Sequence, residues 1–224
     1  MRTRAQRRLP DMERREMWQC NSEIARAVTL LPQRIVQRGQ RLFNAGEALE
    51  SIDIITAGAF KITQSTAEGD EWISRFKFSG EWIGLSDYPG EQHSVSAYAL
   101  DTSAVRRLPL PMLAKMLRDE ETRPTILAMM NHNLRQHLNY AVMRRMRARD
   151  RLAEFLHQMS GHYARQGYSA RSFHLPMSRN EMANYLDLTP ETVSRELKTF
   201  ERTGSIRTRR NEITLVDVNS LLNP

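Results

Sequence analysis

Residues 178–204 read SRNEMANYLDLTPETVSRELKTFERTG, and few folds can accommodate such a stretch. Ser178 followed three residues later by Glu181 is a capping-box signature, in which each side chain satisfies the other residue's backbone N–H. Met182, Ala183 and Leu186 then recur at helical spacing. Thr189-Pro190-Glu191 opens a second helix: a hydroxyl cap, a proline where no N–H is needed, and an acid near the positive end of the helix. Leu188 is the apolar residue of the turn between them. In the second helix Val193, Leu197 and Phe200 face inward, whereas Glu191, Thr192, Ser194, Arg195 and Lys198 face outward.

The outward set suits a DNA major groove. Arginine can bond guanine O6 and N7 together, a carboxylate accepts from cytosine N4, and serine adapts to several base edges. Glu191, Ser194 and Arg195 sit near the helix N-terminus, the end that a recognition helix presents to bases. Arg179, Thr189 and Thr192 lie at the helix ends, where a cation and hydroxyls can meet phosphates. A surface helix pair of mixed charge would give the same two-helix pattern. The following residues weigh against it: Ser205 to Val216 reads as two short strands around a basic turn, and Arg209 and Arg210 there suit phosphates. A helix-turn-helix followed by a hairpin is a winged helix.

This segment resembles the DNA-binding domain of the Crp/Fnr superfamily of bacterial regulators. Glu191-Thr192-Val193-Ser194-Arg195 is similar to the E-T-x-S-R core of the Fnr and FixK branch; the cyclic AMP receptor branch usually has glycine in place of Ser194. The resemblance implies that Glu191, Ser194 and Arg195 read an inverted repeat of the type TTGAT…ATCAA. The chain departs from the family at Asp187, where glycine is usual in the turn. Aspartate tolerates the left-handed backbone better than most residues.

Charge agrees with a nucleic-acid partner. The chain carries +7 formally, and residues 124–173 hold eight arginines against Asp150 and Glu154. Residues 21–123 are slightly acidic, with twelve basic and fourteen acidic residues, and residues 174–224 balance at seven each. No basic amphipathic helix with a bulky apolar face points to a membrane, no apolar run is long enough to span one, and no apolar core follows the N-terminal arginines to make a signal peptide. A cytoplasmic protein is expected. No paired carboxylates, metal-ligand spacing or nucleophile motif suggests an enzyme.

Residues 1–20 read as a flexible tail, although a short helix is expected from Trp18 to Leu31 with Ile24, Ala27 and Val28 inward. Residues 34–110 change character. Short β-prone runs recur between glycines, at 34–38, 41–43, 52–56, 59–66, 71–78, 94–99 and 104–108, predicting a small antiparallel barrel or roll. The wording of this region, R-G-Q-x-L-F-x-A-G-E (38–47), I-x-x-G (55–58) and G-E-W-I-G (80–84), resembles the β-roll sensor of the same superfamily.

Two cofactors belong to that superfamily, and neither is expected here. The resemblance implies that a glutamate and an arginine–serine pair hold a cyclic nucleotide. Gly80-Glu81 is present, but Asp87, Glu91 and His93 stand near Ser94 where the family has the arginine, so cyclic AMP would lose its main cationic partner. His93 reads as a solvated loop residue, with a pH-sensitive or haem-ligating group as the alternative. The oxygen-sensing branch holds an iron–sulfur cluster with four cysteines. This chain has one, Cys20, and Arg106 stands where the roll cysteine would be. One cysteine also rules out an intrachain disulfide and a cysteine-built zinc site.

After a short helix and loop over 111–123, Pro124 opens a long helix to about Arg149. An apolar seam runs through Leu127, Met130 (or Asn131), Leu134, Leu138 and Ala141 at three- and four-residue spacing. The resemblance implies the family's dimer helix, with Arg144–Arg149 near a hinge. The expected fold is α+β: a tail (1–20), a cyclic-nucleotide-binding-like β-roll sensor (21–123), a dimerisation helix (124–149) and a winged helix-turn-helix (150–224). The expected function is that of a homodimeric transcription regulator, an activator that touches RNA polymerase. A β-roll signalling protein acting through protein contacts, with a vestigial DNA-binding unit, is the rival.

Overall fold

The computed structural model describes residues 21–65 and 69–217; the expected tail, the helix start at Trp18, Cys20 and the strand end at Thr66 lie outside them. Helix α1 (Ser22–Leu30) begins at Asn21, whose Oδ1 accepts from the Ile24 N–H at 3.1 Å. Eight strands follow: β1 (Gln33–Val36), β2 (Arg41–Phe43), β3 (Ser51–Ala57), β4 (Ala59–Ser65), β5 (Glu71–Phe78), β6 (Trp82–Ile83), β7 (Ser96–Ala99) and β8 (Ser103–Pro109). They form two four-stranded antiparallel sheets, ordered β1-β8-β3-β6 and β2-β7-β4-β5. Strand β6 was not expected, because two residues are too few for a periodicity to register.

Side-chain alternation along β3 divides the apolar residues between two cores. Ile52 and Ile54 pack with Ile24 and Val28 of α1, Leu113 of α2 (Leu110–Arg118), and Ile126 and Met129 of α3 (Arg123–Met143). Ile55 joins Phe60, Ile62 and Val105 between the sheets. The β3–β4 turn requires glycine: Gly58 has φ +83°, and a Cβ there would lie 2.2 Å from Ser103 Oγ.

The C-terminal half contains α4 (Ala148–Arg165), β9 (Ser172–His174), α5 (Arg179–Leu186), α6 (Pro190–Arg202), β10 (Ile206–Arg209) and β11 (Glu212–Leu215). Strand order β10-β11-β9 pairs the expected hairpin with the short strand that the sequence predicts near residues 173–175, ahead of Ser178. The winged unit shares its core with the roll. Ile73, Phe76 and Phe78 of β5 are buried with Phe155 and Leu156 of α4, Tyr185 of α5, and Val193, Leu197 and Phe200 of α6. The Phe76 and Tyr185 rings are 5.1 Å apart.

The long helix was expected to reach Arg149, but α3 ends at Met143 and α4 starts at Ala148. No glycine or proline breaks it. The chain turns through i→i+3 bonds, Arg145 N–H to Val142 O and Met146 N–H to Met143 O, and Arg147 is extended. A local side-chain bond closes this break: Arg151 Nε donates to Met146 O, five residues earlier, at 3.0 Å.

His162 lies in the roll–winged-unit interface, 4% exposed, with its ring 4.3 Å from that of Phe78. Burial pushes its pKa down from 6.5 to about 4. The folded chain therefore refuses a proton that the unfolded chain accepts near pH 6.5. Stability from this group is complete above that pH and falls as pH drops toward 4, by about 3 kcal/mol. His162→Gln should narrow the difference in denaturant-derived stability between pH 7.5 and pH 4.5; an unchanged difference would remove His162 as its source.

Candidate nucleic-acid interface

The capping box forms as its residues dictate. The Glu181 N–H donates to Ser178 Oγ at 3.2 Å, and the Ser178 N–H donates to Glu181 Oε2 at 2.8 Å. Burial opposes ionisation of Glu181, but the Ser178 N–H and Lys61, 3.0 Å away on β4, hold its pKa below the usual carboxylate range. The cap thus also fastens α5 to the roll. Asn184 adds to this, its Oδ1 accepting from the Ile73 N–H at 2.5 Å.

Helix α5 ends at Asp187, with φ 55° and ψ 51°. Any side chain there costs roughly 1 kcal/mol relative to glycine. The carboxylate lies 2.8 Å from Arg144 Nη2, and that bond holds its pKa below the usual range. Leu188 is half-buried against the core.

On α6, Val193, Leu197 and Phe200 are buried at 0%, 4% and 0% exposure, so the opposite face is fixed outward. Glu191, Arg195 and Lys198 are exposed, and Ser194 and Thr192 half-buried. Arg195 Nε lies 3.3 Å from Glu196 Oε1. The Thr189 hydroxyl is spent on capping: it accepts from the Thr192 N–H at 3.2 Å and donates to Thr192 Oγ1 at 3.0 Å.

An open concavity of about 700 Å³ runs along this face. It brings together Arg179, Glu191, Ser194 and Arg195 with Asn180, Lys198, Thr199 and Arg202. Asn180, Thr199 and Arg202 were not named from sequence. The signal for Arg202 was present, since 191, 195, 198 and 202 form one helical stripe.

The wing is rigidly placed beside the concavity. Glu201 accepts from the Thr208 N–H at 2.9 Å and from its hydroxyl, and Arg179 Nη2 donates to Arg210 O at 3.2 Å. Arg179 Nη1 is buried without a partner among the described residues, and burial lowers the guanidinium's pKa. Arg209 and Arg210 are exposed, Arg210 with φ 57° at the turn.

Residues 150–223 match the model of a Crp-like helix-turn-helix domain, and residues 33–120 that of a cyclic nucleotide-binding domain. The anaerobic regulatory protein of Haemophilus influenzae is 35% identical over 189 residues, covering 84% of this chain and 74% of that protein. The chain belongs to the Crp/Fnr family. The fumarate and nitrate reduction regulatory protein of Vibrio cholerae is 33% identical, over 84% of this chain and 76% of that protein. Among solved structures, FixK2 from Bradyrhizobium japonicum superimposes with a TM-score of 0.80 at 26% identity, over 87% of this chain and 96% of that one. The chain is thus a Crp/Fnr-type transcription regulator with a helix-turn-helix DNA-binding domain, not an enzyme.

The roll of this Crp/Fnr member departs from one expectation. His93 is not solvated: it is 6% exposed, its ring stacked on Phe43 at 3.6 Å, with Nδ1 3.4 Å from Asp87 Oδ2. Asp87 also accepts from Ser94 Oγ at 2.5 Å. The loop folds back on the roll, which no local pattern announces. Glu81 is committed internally, accepting from Lys77 Nζ at 3.0 Å and from the Phe78 N–H at 2.9 Å. Burial pushes its pKa up, but Lys77, His162 and the Phe78 N–H together outweigh this and keep it below the usual carboxylate range. Arg106 donates to Thr29 O at 2.8 Å and to Leu31 O, closing the C-terminus of α1.

Among the described residues, no helix is long and apolar enough to cross a membrane, and no group of three or more histidines, cysteines and acids could hold a metal ion.

Proposed function

We propose that the chain is a cytoplasmic homodimer that binds a TTGAT…ATCAA-like inverted repeat and activates transcription by touching RNA polymerase. The observation that carries this reading is the stripe of Glu191, Ser194 and Arg195 over an open concavity, with Arg179 in its lining bonded to the wing at Arg210 O. Glu191, Ser194 and Arg195 read bases; Arg179, Thr192, Arg209 and Arg210 meet phosphates. Thr189 contributes mainly by capping α6. The working division is a tail (1–20), a sensor (21–123), a dimer helix whose span is shortened to end near Met143, and a DNA-binding unit from about residue 150.

Dimerisation is supported by α3. Leu127, Leu134 and Leu138 are 47%, 57% and 61% exposed, Ala141 is exposed, and Met130 is half-buried against the roll. Val142, 60% exposed, extends this seam. Ile126, Met129 and Asn133 occupy the neighbouring, buried stripe, about 100° around the helix.

The residues present do not fit the family's two cofactors. Glu81 is bonded to Lys77, and the loop places the Asp87 carboxylate beside Ser94, where a nucleotide phosphate would be repelled. A cluster needs four thiolates, and the chain has one cysteine, with Arg106 engaged on α1.

Gel-shift titration with the repeat and with a scrambled duplex tests the reading. Tighter binding to the repeat is expected; equal, weak binding would favour a roll acting through protein contacts. Arg179→Ala should weaken both duplexes alike and reduce the log–log salt slope by about one unit per subunit. An unchanged slope would take Arg179 out of the interface.

A further inference from the structure

The last turn of α5 receives donors from three places outside the helix-turn-helix. Tyr140, on α3, donates its hydroxyl to Tyr185 O at 3.0 Å. Arg144, the residue capping α3, reaches the Asp187 carboxylate at 2.8 Å. Arg151, on α4, donates through Nη1 to Leu186 O at 2.8 Å and Asp187 O at 3.0 Å, and through Nε to Met146 O in the break between α3 and α4. The carbonyls at a helix C-terminus lack intrahelical partners and form its negative end, so the Arg151 guanidinium and the Tyr140 phenol suit them, whereas Arg144 pairs with the Asp187 side chain. Arg151 supplies the fixed fork that a lysine lacks.

Asp187 is the informative member. Its left-handed backbone is one that glycine adopts freely. A side chain there carries a cost, and the ion pairs of this carboxylate among the described residues are with Arg144 at 2.8 Å and, more distantly, Arg151 at 3.9 Å. These contacts join the reading unit to the end of the dimer helix.

We propose that Asp187 and Arg144 are positioning residues that, added to the core shared by the roll and the winged unit, trim the angle of the helix-turn-helix against α3 and so sharpen the half-site spacing the dimer accepts. The inference rests on the dimeric, repeat-reading function proposed above. Two recognition helices must lie one DNA turn apart, about 34 Å, to engage both halves of a palindrome. A freely hinged reading unit would accept an extra base pair between half-sites; a fastened one would not.

The experiment measures affinity of the full chain for the repeat and for the same repeat with one base pair added at its centre. Wild type should prefer the native spacing by about tenfold or more, since one base pair shifts a half-site along and around the duplex. Each exposed ion pair is worth at most about fivefold, and a dimer has two. Asp187→Gly and Arg144→Gln should each reduce the spacing ratio to about threefold or less, with the base preference within a half-site unchanged. Arg144→Lys should keep an intermediate ratio. Asp187→Gly should melt no lower than wild type, because the turn is relaxed; a residue that served stability alone would behave in the opposite way. Variants that retain the wild-type spacing ratio would overturn the inference and leave the dimeric reading standing. A wild type that binds both spacings equally but far more tightly than a single half-site would overturn the inference alone; one that binds the repeat no better than a single half-site would overturn the dimeric reading as well.

Discussion

Arg195→Ala should weaken binding to the cognate repeat by about 1–3 kcal/mol per half-site, hence by at least about thirtyfold for a dimer reading two. The position leaves little else for this side chain to do. Arg195 is exposed on the face opposite Val193 and Phe200, and it lines the concavity beside Glu191 and Ser194. Its one ion pair, with Glu196, leaves the arginine side chain 66% exposed, and such pairs are worth roughly 0–1 kcal/mol, so releasing it to a guanine costs little. Arg195→Lys separates charge from shape. Lysine keeps the phosphate attraction but loses the bidentate fork, so binding to scrambled DNA should persist while discrimination falls. Fluorescence anisotropy on cognate duplexes and on duplexes changed at single guanines gives the ratio. If Arg195→Ala discriminates between them as wild type does, Arg195 is not a base reader.

The parts of this interface legible in sequence were those encoded locally. A capping box needs only Ser178 and Glu181, and the structure forms both of its bonds. Thr189-Pro190 starts α6 at the expected residue, and the Val193, Leu197, Phe200 face follows from helical period alone. Asp187 adopts the left-handed turn its residue type tolerates. What sequence concealed depends on partners distant along the chain. The break after Met143 falls where the family resemblance places a hinge, near residues 144–149, but no glycine or proline marks its position; beyond its local bond to Met146 O, the Arg151 fork reaches Leu186 and Asp187, 35 and 36 residues away. His93 is buried because Phe43, fifty residues earlier, stacks on it. The attachment of α5 to β5 through Asn184 and Ile73 likewise crosses 111 residues. Such pairings leave no periodic trace in the sequence.

Leu138→Asp should convert the dimer to monomer and abolish repeat binding at concentrations where wild type saturates. Leu138 is 61% exposed, so the change touches no packed core within the chain and the monomer should keep its fold. It lies on the seam with Leu134, one helical turn away, and α3 carries no acid from Arg123 to Met143. Two copies can therefore meet along this helix without like-charge carboxylates opposing them. Each buried leucine contributes about 1.5–3 kcal/mol, so losing one from each copy weakens the dimer by at least about a hundredfold. In the proposed dimer the two introduced carboxylates would lie near each other across the two-fold axis and add repulsion. DNA binding follows because a single half-site offers too few contacts, whereas linked recognition helices make the second contact effectively intramolecular. Analytical ultracentrifugation of nucleotide-free, metal-free protein reads the first effect, and anisotropy with the repeat reads the second. The same sedimentation run on wild type tests whether an effector is needed. A chain that sediments as a monomer until cyclic AMP, haem or iron is added would refute association through an acid-free seam alone.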